Sequence, residues 1–145
     1  MKKIFALGLL TATFLLTACG TTNLGEESSH GSDVNNLEGV TIELTKDTYK
    51  SEGDNFELVV INNSDKEVTY GVPYSLEYMS DGAWYVVEPE EEMAFIMIAF
   101  ILAAGEEAAE ELNLTYYEPL AAGQYRIIRQ IDGEELTAEF EVVEE

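Results

Sequence analysis

Positive charge is scarce in this chain. Seven Lys and Arg stand against 29 Asp and Glu, a formal charge of −22 over 145 residues. Phosphate repels such a chain, which excludes nucleic-acid binding by backbone neutralisation. Cysteine and histidine occur once each, as Cys19 and His30. A single Cys forms no internal disulfide, and one Cys with one His falls short of the usual tetrahedral zinc set. Histidine-activated nucleophilic catalysis would depend on His30, which lies in a polar stretch and reads as a solvated residue. With carboxylates this numerous, pairs arise by chance and do not by themselves mark a glycosidase cleft. No catalytic residue, metal or cofactor is therefore expected. The length suits one ordinary domain.

Lys2 and Lys3 precede an uncharged apolar stretch over 4–16, the pattern of a secretory signal and too short for a confident membrane span. Leu16-Thr17-Ala18-Cys19-Gly20 resembles the lipobox of bacterial lipoproteins. The resemblance implies cleavage between Ala18 and Cys19 and acylation of Cys19. The lipid bilayer would then be the first partner, on the extracytoplasmic side of the cell membrane. Two or three acyl chains, at about 0.8 kcal/mol per buried methylene, hold a small domain durably. Cleavage removes Lys2 and Lys3 and no acid, taking the formal charge from −22 to −24. Residues 19–38 are rich in Gly, Ser, Thr, Asn and acids and read as the lipidated Cys followed by a flexible linker.

From Val40 onward apolar residues recur at a period of two. Val40, Ile42 and Leu44 alternate with Thr41 and Glu43; Phe56, Leu58 and Val60 form a second run. Each pattern predicts a strand with one buried face. Further strands are expected at 67–71, 74–78, 84–87, 108–114, 125–131 and 136–142, although 106–112 also suits a helix. Pro73 predicts an edge position or a bend. Asp81-Gly82 and Asp132-Gly133 are hairpin signals. Short strands without a long periodic helix predict an all-β, antiparallel sandwich of seven to nine strands over 39–145.

Leu120-Ala121-Ala122-Gly123-Gln124-Tyr125-Arg126-Ile127 resembles the tyrosine corner of immunoglobulin-like domains. By that resemblance Tyr125 would hydrogen-bond back across a corner that Gly123 permits. Trp84 would serve as the large core aromatic. Across residues 39–145, the order Ile61-Asn62-Asn63-Ser64, Tyr70-Gly71, Tyr74-Ser75-Leu76-Glu77, Asp81-Gly82-Ala83-Trp84, Leu102-Ala103-Ala104-Gly105-Glu106 and Gly123-Gln124-Tyr125 resembles bacterial Ig-like domains of small surface lipoproteins. The resemblance implies fold and an extracellular location; it implies no activity.

Two features bear on partners. The runs Glu90-Glu91-Glu92, Glu106-Glu107 with Glu110-Glu111, and Glu134-Glu135 lack the Asp-rich loop grammar of calcium sites and read as a solvated face, with a cationic peptide as the second reading. By contrast, 93–104 is an unbroken apolar run. As a helix it would span about 18 Å, well short of a bilayer core. A strand buried on both faces and a buried helix are both open. If Leu102 faces inward along a strand, Ala94, Ile96, Ile98 and Phe100 share its face, while Phe95, Met97, Ala99 and Ile101 face outward. Exposed, Phe95, Met97 and Ile101 would form a surface that docks a protein or peptide partner. The alternative is that a loop or the Tyr116-Tyr117 segment covers them. The expected function is therefore a membrane-anchored, non-catalytic interaction module. An inhibitor or sensor accessory of an envelope enzyme, or a cationic-peptide binder, is the alternative.

Overall fold

The computed structural model describes residues 22–144; Ala18 and Cys19 lie outside them. Among the described residues eleven strands fold into two facing sheets. The smaller sheet pairs β4 (Phe56–Asn62) with β2 (Val40–Leu44) on one side and β9 (Glu107–Leu112) on the other. The larger is built on the hairpin of β10 (Gly123–Ile131) and β11 (Glu134–Val143), with β3 (Thr48–Lys50) parallel to β11 at the far edge. On the other side of β10 lie β5 (Val68–Gly71) and β6 (Ser75–Ser80), successive halves of one interrupted strand. Past β6 come β7 (Ala83–Val87) and β1 (Leu24–Glu27); past β5 comes only β8 (Ala99–Leu102). The expected β-sandwich is thus observed, with two departures: ten strands from Val40 to Val143 in place of seven to nine, because Pro73 splits one strand and short edge strands are added, and a parallel β3–β11 pair in an otherwise antiparallel fold.

Local chemistry explains both long hairpins. Asp81 and Gly82 have φ of 50° and 80°, and Asp132 and Gly133 have 48° and 79°. Two successive positive φ values give the two-residue turn whose twist matches that of paired strands. The segment expected to be ambiguous at 106–112 is strand β9, in register with β4 from Phe56↔Leu112 to Ile61↔Glu107.

Alternation buries Val40, Ile42, Leu58 and Val60 from the smaller sheet against Leu76, Ile127, Leu136 and Ala138 from the larger. One end of this core is aromatic. Tyr49 stacks on Phe56 at 3.9 Å, and Phe140 meets Tyr49, Phe56 and Tyr125 at 5.4, 5.2 and 5.3 Å. Asn62 is fully buried among these elements. Its amide donates to the carbonyls of Lys66, Leu102 and Ala103, and its oxygen accepts from Ser64. Every polar group of this buried side chain is thereby matched, which anchors the start of the next loop and the end of β8 to β4.

Trp84, expected in the core, lies half-exposed on β7, where the Arg126 guanidinium stacks over its ring at 4.5 Å. Arg126 and Glu77 are direct cross-strand partners and form a 2.6 Å ion pair, 3 % and 2 % exposed. The linker expected over 19–38 is also revised where it is described. β1 pairs with β7, and Ser28 Oγ lies 3.5 Å from Arg126. Beyond it Asn35 donates its amide N–H to Glu135, exchanges side-chain hydrogen bonds with Thr137 and so meets the free edge of β11. Residues 28–35 therefore strap across the outer face of the larger sheet, where Ile128 is buried apart from the main core. Polar composition permitted this because the strap is held by hydrogen bonds and needs few apolar side chains.

Burial also sets an alkaline limit. Desolvation raises the hydroxyls of Tyr125, Tyr117, Tyr49 and Tyr70 above 10.0, and burial next to Tyr117 pushes Tyr74 up to about 12. The folded state holds these protons more tightly than the unfolded chain. Stability is therefore intact below pH 10 and falls as pH rises from 10 toward 12. Urea midpoints at pH 8 and pH 11 should differ in that direction, and an unchanged midpoint would contradict the burial of these hydroxyls.

Candidate functional site

The apolar run is not buried. Only Ala99–Leu102 forms a strand, and 93–98 carries no regular structure. Both the buried strand and the buried helix expected over 93–104 are therefore corrected. The reason is the partner: β5 ends at Gly71, opposite Ala99, and Val72-Pro73 then breaks the strand. Chain before Ala99 has no backbone to pair with. Arg129 stabilises this break from the core side, donating to the Val72 carbonyl at 2.7 Å while it ion-pairs with Glu110 of the opposite sheet.

Without a strand, the alternation expected at 94–98 is lost. Ile96 is 72 % exposed, Met97 92 % and Ile101 67 %. Phe95 is half-buried, edge-on to Tyr74 at 5.5 Å, and Tyr74 is fixed by donating to the Asn113 carbonyl at 2.7 Å. Within β8 only Leu102 is buried; Phe100 is 38 % exposed with its ring 5.5 Å from that of Tyr70, and Ile101 is exposed. Tyr117 is buried and Tyr116 exposed, and Met97 stays open, so the described residues do not cover the surface. Of the three residues expected to dock a partner, Met97 and Ile101 are exposed, on the irregular segment and on β8, and Phe95 packs the irregular segment against Tyr74. Ile96, Ile98 and the groove of about 380 Å³ between Pro73, Met97 and Gln130 were not expected.

The main chain of β8 is equally open. Thr69 donates its amide to Asp132 Oδ1 at 2.9 Å and accepts from the Asp132 amide at 3.0 Å, so its backbone faces β10. Ile101 opposes Thr69 across the β5–β8 pair. It forms the non-hydrogen-bonded kind of antiparallel pair, which turns its N–H and C=O away from β5; Ala99, two residues away, does the same. Among the described residues no strand lies beyond β8. Its sequence, Ala-Phe-Ile-Leu, has none of the charges or prolines that ordinarily guard a sheet edge.

Elsewhere the surface offers less. Another depression, of about 590 Å³, mixes Glu38, Asp65, Lys66, Glu67 and Asp132 around open solvent. No group of three or more His, Cys, Asp or Glu converges as a metal site among the described residues. His30 lies in the strap, with its backbone N–H donated to Ser28 Oγ.

Tyr125 donates its hydroxyl to the Ala121 carbonyl at 2.6 Å, and Thr22 Oγ1 bridges that hydroxyl and the Ala121 amide at 2.9 and 2.8 Å. Gly123 has φ 146°, and a Cβ there would meet the Tyr78 ring at 2.7 Å.

Two of the solved structures that the chain resembles are distant likenesses. An alkylpurine DNA glycosylase of Pseudomonas fluorescens, bound to DNA containing an abasic site analog, is 21 % identical with a TM-score of 0.38. A beta-glucosidase of Listeria innocua in complex with gluconolactone is 20 % identical with a TM-score of 0.33. The alignments take in 74 % and 71 % of this chain but only 31 % and 16 % of those proteins. No curated protein matches the chain. The bacterial Ig-like domain family, in contrast, matches residues 36–141, and with the two-sheet architecture and tyrosine corner in place the chain belongs to that family.

Proposed function

We propose that this chain is a non-catalytic interaction module of the cell envelope, held to the membrane by acylated Cys19, that docks a protein partner through the apolar surface of 96–101. The observation that carries the docking role is the exposure of Ile96, Met97 and Ile101 on a domain of formal charge −22. A soluble domain with so much charge keeps a contiguous apolar patch exposed where something is to cover it. Fold alone assigns no partner. The anchoring role rests on the lipobox pattern at Leu16-Thr17-Ala18-Cys19.

Substituting Ile96 and Met97 together by Ser separates docking from folding. Both side chains are exposed, so stability should change by less than about 0.5 kcal/mol. Cross-linking pull-down of the lipidated protein from its own membranes should capture a stoichiometric partner with the wild type and lose it with the variant. Equal capture by both, or a large fall in melting temperature, would defeat the docking role. In the same preparation Cys19→Ser should move the protein from the membrane to the soluble fraction.

A further inference from the structure

We infer that the docking mode is strand addition: the partner contributes an extended segment, apolar in the middle and flanked by Lys or Arg, that pairs with the open edge of β8. This deepens the docking role proposed above and rests on it. Three observations converge on the segment's chemistry. The N–H and C=O of Ala99 and Ile101 point outward from a sheet edge, a template that another extended chain completes. Beside them Ile101 and Met97 offer apolar contact at 67 % and 92 % exposure. The charge flanking the edge strand is mostly negative: Glu90, Glu91 and Glu92 precede the apolar run, Glu106 and Glu107 follow it, and Glu67 adjoins the Val68↔Leu102 pair, all of them exposed, with Lys66 as a cation next to Glu67.

This excess of flanking carboxylates selects against a second copy of this chain. Two β8 edges paired together would bring like-charged Glu runs alongside one another, between molecules of charge −22 each, which opposes association. A segment with cationic ends meets the same field as attraction. It also compensates for the few cations this domain displays, since Arg126 and Arg129 are buried in pairs.

The probe is a synthetic peptide of alternating valine and threonine with a lysine pair at each end, titrated against the folded domain by fluorescence anisotropy. Binding should be saturable, should slow hydrogen exchange at the Ala99 and Ile101 amides, and should weaken at high salt. Replacing the lysines by glutamates, or N-methylating alternate peptide amides, should weaken it at least about tenfold. On the protein side, Ile101→Pro removes an outward donor while sparing the Phe100 and Leu102 pairing with β5; an edge strand accommodates such a proline. This variant should melt like the wild type and lose at least about tenfold in affinity. No binding up to about 1 mM peptide, equal binding of lysine and glutamate versions, or full binding by N-methylated peptide would overturn the inference. So would a dimer through β8 in sedimentation equilibrium, in favour of self-pairing. If Ile96→Ser with Met97→Ser abolishes partner capture while Ile101→Pro retains it, docking stands and strand addition is overturned. If neither variant affects capture, both fail.

Discussion

Phe140→Ala is expected to remove about 3–5 kcal/mol of stability, the range for deleting a large aromatic from a packed core. Phe140 is 2 % exposed and touches the rings of Tyr49, Phe56 and Tyr125. Those rings come from β3, β4 and β10, so the lost side chain joins both sheets. Beyond the transfer of its own surface, each ring pair contributes about 0.5–1.5 kcal/mol. The neighbours have little freedom to collapse into the gap. Tyr49 stacks on Phe56, and Tyr125 is held by its hydroxyl at Ala121. Urea unfolding should show a lower midpoint at unchanged slope, and Phe140→Leu should lose less than Ala. A loss below about 1 kcal/mol would mean that the aromatic end of the core repacks.

Glu77→Ala should cost a comparable amount for a different reason. It leaves Arg126 charged, 3 % exposed and without its carboxylate. Removing one partner of a buried ion pair typically costs about 3–5 kcal/mol, because the remaining charge stays desolvated. The stack on Trp84 and the long contact with Ser28 soften the loss without replacing a carboxylate. Replacing both residues, Glu77→Leu with Arg126→Met, should return stability to within about 1 kcal/mol of the wild type. Equal losses in the single and double variants would show that packing of the side chains, and not their charge, is what matters there. Chemical denaturation at neutral pH distinguishes the two.

The features that were readable in the chain are those whose cause is local. Asp81-Gly82 and Asp132-Gly133 fix their turns through their own backbone preferences, and the corner at Gly123 and Tyr125 closes over four residues back to Ala121. Period-two alternation located β2, β4 and β11 because each has one wet face. Where the outcome depends on a distant partner, pattern fails. The run over 93–104 advertises a demand for burial, but Pro73 had already ended the strand that could have met it. Glu77 and Arg126 occupy positions that alternation assigns to solvent; only the Arg126↔Glu77 register and the strap above them make that face dry. Trp84 went to this face and not the core for the same reason. The strap itself was hidden because Asn35 works through its amide and its backbone, which leave no hydrophobic signature.

Under the proposed anchoring, the docked N-terminal segment would also limit how far the domain stands from the bilayer. With Cys19 acylated as proposed, Thr22 is already tied to Tyr125 and Ala121, so the leash is the chain from 19 to 22, about 10 Å at full extension. The tyrosine corner is then the membrane-proximal end of the sandwich. Tyr70 meets β10 at Ile131, about 20 Å further along the strand at the usual rise per residue, and β8 is paired to β5 at that distal end. On that reading the open edge lies at the end of the sandwich away from the headgroups. There it is presented to chains arriving from the exterior, and the acyl chains that hold the domain in place are out of its reach.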